Sequence, residues 1–131
     1  MNLHEYQAKE LLKKYNVPVQ EGIACAFRYG LDIMRENGMN PSVIRAGEAN
    51  LFLSDLFTEI FVNTTGVPVE LYKNDGSVGA ALGAGIGAGI FASPAEAFNK
   101  MEKVKTVVPK GRQYEPVYAD WKNLLEKQLN S

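Results

Sequence analysis

Apolar positions along this chain recur mostly at helical spacing, interrupted by short extended runs. Leu3, Tyr6, Leu11, Leu12 and Tyr15 mark a first helix face. Asn2, followed three residues later by Glu5, is a capping-box-like start, and Pro18 ends the pattern by disfavouring helical geometry at Val17. Ile23, Phe27, Leu31 and Met34 form a second apolar stripe, on a helix that stops at Asn37 and Gly38. Val43, Ile44 and Arg45 read as a short strand and residues 46–50 as a loop. Asn50 is expected to cap a third helix whose buried face is Leu53, Leu56, Phe57, Ile60 and Phe61. Gly66 closes that helix, and residues 67–72 predict a strand with Pro68 near its start, where a missing N–H is tolerated.

The polar turn Lys73-Asn74-Asp75-Gly76 then delivers the chain into its most unusual stretch. Gly79, Gly83 and Gly87 fall at i, i+4 and i+8, as do Ala80, Ala84 and Ala88, so both rows lie along a helix side. Each interior glycine costs roughly 0.5–1 kcal/mol against alanine, and a close backbone neighbour is the expected offset. The apolar run over residues 78–92 is shorter than the ~20 residues a membrane span needs. A helix packed tightly on a sheet is expected instead, with its N-terminus open to a nucleotide or phosphate.

Ser93, Pro94 and Glu96 make a strong helix start, and the helix is expected to run to about Met101. Residues 103–108 read as a strand or extended arm. A last helix covers about residues 113–129, with Pro116 in its first turn and Val117, Trp121, Leu124, Leu125 and Gln128 along one side. No internal repeat is evident. The alternation of helices and strands predicts an α/β layer with helices packed on a small sheet.

With 131 residues the chain is the size of one domain. Its formal net charge of −1 gives no electrostatic case for nucleic acid or an anionic membrane surface. The single cysteine, Cys25, cannot form an internal disulfide, and residues 1–5 lack the basic-then-apolar pattern of a secretory signal. A cytoplasmic setting without a membrane anchor is the expectation.

Two resemblances enter at this point. Met1-Asn2-Leu3-His4-Glu5-Tyr6-Gln7, continuing to Gly22-Ile23-Ala24, resembles the opening of the β subunit of ADP-forming succinyl-CoA synthetase. That resemblance implies a helix, a proline-containing turn and a strand leading toward an ATP-grasp domain, and it ends near Ala24. From about residue 22 to 129 a second resemblance takes over. Its carriers are Phe27-Arg28-Tyr29-Gly30-Leu31, the loop Arg45-Ala46-Gly47-Glu48-Ala49-Asn50, the strand entry Gly66-Val67-Pro68-Val69-Glu70, and the run from Asp75 to Ala84. The closing helix with Tyr118, Trp121 and Leu125 agrees in order and spacing. These segments resemble the C-terminal part of xylulokinase, a carbohydrate kinase of the FGGY type in the hexokinase–actin superfamily.

That second resemblance implies a partial actin/hexokinase-like (RNase H-like) α/β domain over residues 22–131, preceded at 1–21 by the segment of synthetase type. It implies ATP with magnesium as cofactor of the complete enzyme. It places the nucleotide on two loops, which carry over to Gly47 and Asn50 in the first and to Gly76 and Gly79 in the second. The first loop departs from the family pattern by lacking a Gly-Gly pair. The family's catalytic Asp and its phosphate-binding turn lie upstream of the matching region, so no catalytic residue carries over, and the chain looks like a fusion meeting near residues 20–24.

Other residues invite simpler explanations. His4 is the sole histidine, so no histidine metal cluster can form. Cys25 reads as a small buried thiol. Asp75 and Glu70 could touch magnesium, although a turn Asp bonding its own backbone is commoner. Lys103, Lys105, Lys110 and Arg112 read as a solvated edge, and Trp121 as core. Three functions stand open: a fragment of a sugar kinase that binds adenine nucleotides weakly, an acyl-CoA ligase fragment implied by residues 1–24, and a non-catalytic interaction module, dimeric through exposed apolar faces.

Overall fold

A computed structural model describes residues 19–131. The helix expected around Leu3 to Tyr15 and its Pro18 stop lie outside the described residues. The described chain runs α1 (Val19–Glu36), β1 (Ile44–Gly47), a 3-10 turn (Asn50–Leu53), α2 (Asp55–Thr65) and β2 (Val69–Tyr72). It continues through α3 (Gly76–Gly87), α4 (Pro94–Phe98), β3 (Lys103–Val107) and α5 (Glu115–Leu129). This is a mixed α/β arrangement of five helices on a three-stranded sheet. The strand order is β1-β2-β3, with β1 parallel to β2 and β3 antiparallel to it.

α2 makes the core possible. Phe57, Phe61 and Val62 on α2 meet Val69 and Leu71 of β2, and Ile23, Ile44, Ala46, Phe52 and Val107 close around them. Period-two alternation along β2 turns Val69 and Leu71 toward α2 and leaves Glu70 and Tyr72 on the other face. Phe52 packs edge-on against both Phe57 and Phe61, with ring centroids 5.4 and 5.3 Å apart. α2 is the crossover that parallel strands require. It ends at Gly66, whose φ of 72° is the left-handed turn expected there.

Several expectations are corrected. Ser54, not Asn50, caps α2: its hydroxyl accepts from the Phe57 N–H at 3.1 Å. Asn50 instead opens the 3-10 turn with a φ of 52°, a conformation that asparagine tolerates better than most side chains. That extra turn shifts the register, so Leu53 and Leu56 are 69% and 60% exposed, while Phe57, Ile60 and Phe61 are buried as expected. Ala46 and Gly47 belong to β1, not to the loop. α4 stops at Phe98, short of Met101, although its Ser93 and Glu96 cap as expected.

α1 also departs from its pattern. The ligase resemblance implies a strand after Pro18, but α1 is helical from Val19 onward and crosses residues 20–24 without a break. Its buried residues are the small ones, Gly22, Ala24 and Cys25. The apolar stripe expected inside leaves Phe27 and Met34 exposed. What α1 turns inward with Cys25 is the polar row Arg28, Asp32 and Arg35, spaced three to four residues apart. Those groups are satisfied: Arg28 donates to the Thr64 carbonyl at 2.8 Å and Arg35 to the Thr65 carbonyl at 3.1 Å. Both therefore cap the C-terminus of α2. The Tyr118 hydroxyl of α5 donates to Asp32 at 2.7 Å, and Arg28 pairs with Glu115 at 2.8 Å while lying 4.4 Å above the Tyr118 ring. Trp121 is half-buried, stacked on Tyr118.

α3 is the largest correction. A methyl group added at Gly79, Gly83 or Gly87 would meet nothing within 4 Å, and Gly85 alone is buried in this helix. The small-residue rows face open space and not a close backbone. Among the described residues no helix is long and apolar enough to cross a membrane.

Candidate nucleotide site

β1 and β2 run parallel, so both end on the same side of the sheet, at Gly47 and Tyr72. Beyond those ends lies a cavity of about 320 Å³, lined by Arg45, Ala46, Gly47, Tyr72, Asn74, Asp75, Gly76, Gly79, Phe98 and Met101. Crevices at the carboxyl ends of parallel strands are the usual ligand positions in such folds. Three of the four residues proposed from sequence, Gly47, Gly76 and Gly79, line this one cavity. Asn50 does not; it sits three residues beyond β1, in the 3-10 turn.

Each glycine has its own reason. A Cβ on Gly47 would collide with the Asn74 carbonyl and come within 2.6 Å of the Asn74 Oδ1, so only glycine lets β1 end this close to the β2–α3 turn. That turn is tied down on both sides: Lys73 N–H donates to Glu102 at 2.9 Å, and Asn74 N–H to Tyr72 at 2.8 Å. Gly76 and Gly79 leave space where side chains would otherwise fill the cavity mouth.

The first turn of α3 is already occupied by an anion. The Asp75 carboxylate accepts from the Ser77 N–H at 3.0 Å and from its hydroxyl. Hydrogen bonds from Ser77, side chain first and backbone second, hold the Asp75 carboxyl below its ordinary range. The turn role assigned to Asp75 from sequence is what the geometry displays. A phosphate would have to displace this carboxylate or share the helix end with it, while the cavity wall beside it is apolar and shaped by Ala46, Phe98 and Met101.

Glu70 lies beside the site on the open face of β2. It accepts from Tyr72 at 2.8 Å, Lys103 at 3.0 Å and Arg45 at 3.0 Å. Those bonds, in that order of weight, pull its carboxyl down to about 2. Glu70 thereby steadies both Arg45 and Tyr72 at the cavity. The lysines expected to be a solvated edge are exposed but paired: Lys103 with Glu70, Lys105 with Asp55 and Lys110 with Glu59. Among the described residues no three His, Cys, Asp or Glu side chains converge to hold a metal. Burial raises the Cys25 thiol to about 11, outweighing Arg28, so it stays protonated and inert as a nucleophile.

Sequence reasoning missed Tyr72, Asn74, Phe98 and Met101. Tyr72 and Asn74 could have been found, since the strand that ends at Tyr72 and the turn that contains Asn74 were both recognised. Phe98 and Met101 carry no sequence signal beyond a short helix expected to run to about Met101, and only the fold brings them to the strand ends.

Backbone comparison with solved structures decides the fold. The chain superposes on the xylulose kinase from Rhodospirillum rubrum with a TM-score of 0.66 at 24% identity, over 83% of this chain and 23% of that one. It superposes on the gluconate kinase from Lactobacillus acidophilus with a TM-score of 0.61 at 21% identity, over 86% of this chain and 23% of that one. The described chain is a partial actin/hexokinase-like fold. It spans about a quarter of each of these kinases. No family model matches the sequence. A short stretch is close to a different protein: 24 residues are 79% identical to the succinate–CoA ligase [ADP-forming] subunit beta of Orientia tsutsugamushi, 18% of this chain and 6% of that subunit. A match of 83% over 23 residues joins the chain to the same subunit of Laribacter hongkongensis, again 6% of its length.

Proposed function

We propose that this chain is the nucleotide-binding portion of a xylulokinase-like sugar kinase, joined at residues 1–21 to a segment of succinyl-CoA-synthetase origin, and that it acts in the cytoplasm. The observation that carries this is the convergence of Gly47, Gly76 and Gly79 on one cavity at the ends of β1 and β2. At about 320 Å³ the cavity is near the small end of ligand pockets, which run from about 300 to 1,000 Å³. It suits a base and part of a ribose. The phosphates of ATP would extend past Asp75 into solvent, and magnesium, which the complete family enzyme uses with ATP, would be left to those phosphates and to groups outside this chain. With no residue matching the family's catalytic Asp, phosphoryl transfer, which depends on several positioned groups at once, is absent.

Nuclear magnetic resonance titration of the full chain with ATP, AMP and CoA tests this. Adenine nucleotides are expected to shift Gly47, Asn74, Gly76 and Gly79 with dissociation constants near ~1 mM, about −4 kcal/mol. ATP and AMP should bind alike, and phosphate transfer to xylulose should be undetectable. A Gly79→Leu variant, whose Cβ would meet nothing within 4 Å at the cavity mouth, should stay folded and lose the shifts. Shifts confined elsewhere, or ATP far tighter than AMP, would overturn the assignment, and specific CoA binding would favour the ligase alternative.

One observation favours a second function, a non-catalytic interaction module. Phe27, Met34, Leu53 and Leu56 expose apolar surface that nothing in the described chain covers, and a shallow cavity follows α1 along Ala26, Phe27, Gly30, Leu31 and Met34. A homodimer through these faces would appear as a doubled mass in solution.

A further inference from the structure

Of the polar side chains that line the cavity, Arg45 and Tyr72 are bonded to Glu70 and Asp75 to Ser77, and Asn74 alone offers an acceptor and a donor side by side. Asn74 is held rigidly, because its own N–H is bonded to Tyr72 and the preceding N–H to Glu102. Asn74 lines the cavity, with its side-chain amide between two other lining residues, Gly47 and Met101. Among the described residues, Nδ2 has a single partner, the Met101 sulfur at 3.5 Å, and Oδ1 accepts no hydrogen bond. A thioether is a weak acceptor, so the amide keeps nearly all of its hydrogen-bonding capacity for something else. The rest of the lining is Arg45, Tyr72 and Asp75, each bonded within the chain, the apolar Ala46, Phe98 and Met101, and the glycine backbone. A flat heterocycle placed there would meet one amide with both its acceptor and its donor to offer.

We propose that Asn74 selects adenine by pairing with the N6/N7 edge of the base, Oδ1 accepting from the exocyclic amine and Nδ2 donating to N7. An amide presents one acceptor and one donor side by side, which matches adenine at that edge. Guanine and hypoxanthine present two acceptors there and leave Oδ1 facing an oxygen. Pairing would cost Nδ2 only its contact with Met101. Gly47 takes part indirectly: by lacking a Cβ it leaves the Asn74 amide where it is.

This inference rests on the nucleotide reading above, and the test separates the two. The full chain is titrated with adenosine, inosine and 7-deazaadenosine, and so are its Asn74→Ala and Asn74→Asp variants, each checked for dispersed amide spectra. In the parent chain adenosine should bind about tenfold more tightly than inosine or 7-deazaadenosine, within the range of one bidentate amide–base pair. Asn74→Ala should abolish both preferences. Asn74→Asp, which still accepts but no longer donates, should keep the preference over inosine and lose that over 7-deazaadenosine. Adenosine binding at the cavity with preferences unchanged in both variants would overturn the role of Asn74 and leave the nucleotide site standing. No adenosine shifts at the cavity in the parent chain would overturn both.

Discussion

Glu70 gathers Tyr72, Lys103 and Arg45 around a single carboxylate, and the consequence is a dependence on pH. Its carboxyl sits near 2 in the folded chain against an ordinary value of 4.5. The folded state therefore holds this proton less readily than the unfolded one. The stabilisation is complete above about pH 4.5 and is lost as pH falls from there toward 2. Asp32 and Glu115 act in the same direction. Burial alone would raise Asp32, but hydrogen bonds from Tyr118 and Arg35 and the charge of Arg28 outweigh it. Glu115 is lowered first by its hydrogen bond from Arg28. Thermal midpoints measured from pH 6 down to pH 2.5 should fall steeply below pH 4.5, and Glu70→Gln should make that fall shallower. A variant with the parent's full slope would show that the three partners do not depend on the charge of Glu70.

At the scale of elements, α3 reverses the expectation built from its glycines. A helix carrying that propensity cost was expected to recover it from a close neighbour, yet Gly83 has open space around its Cα. Gly83→Ala should therefore raise stability by about 0.5–1 kcal/mol, read from urea midpoints. Gly83→Leu, which a tight contact would penalise, should be at least as stable as the parent. Gly47→Ala should do the opposite, since its methyl group meets the Asn74 backbone, and a loss of about 1–3 kcal/mol is expected. These two glycines show what was legible in sequence and what was not. Local chemistry carried the cap at Ser93, the turn role of Asp75, the left-handed Gly66 and the placement of all three strands. It could not carry which face of a helix finds a partner. On α1 the apolar stripe looked like the inner face, but three charged side chains with matched hydrogen-bond partners on α2 and α5 hold the inside. Asn50 was assigned as a cap because nothing local distinguishes it from Ser54; the 3-10 turn between them comes from tertiary packing of Phe52. The cavity was legible as two loops and not as a volume, because Phe98 and Met101 arrive there from a later part of the chain.

For the whole molecule, the likeness to a quarter of two kinases and the short match to a ligase subunit are separate resemblances of one chain, and α1 runs unbroken across residues 20–24, where the proposed join would lie. If residues 1–19 are foreign to the fold, deleting them should move the thermal midpoint by only a few degrees, on the order of 1 kcal/mol for a chain of this size. Loss of a cooperative transition on deletion would show instead that the core has recruited them. Comparing the masses of the deleted and full chains also tests whether the exposed apolar residues of α1 and α2 drive self-association.

The strand order has a kinetic consequence. With β1 and β3 each paired on one side within the described sheet and β2 on both, the backbone amides do not share a common route to solvent. Those of β1 and β3 can exchange with deuterium as the margins of the sheet fray. Those of Val69 and Leu71, enclosed by two ladders and by the aromatic face of α2, must wait for the whole unit to open. Their exchange rates should thus report the global unfolding free energy, so that two amides suffice to follow the stability of the entire fold under native conditions.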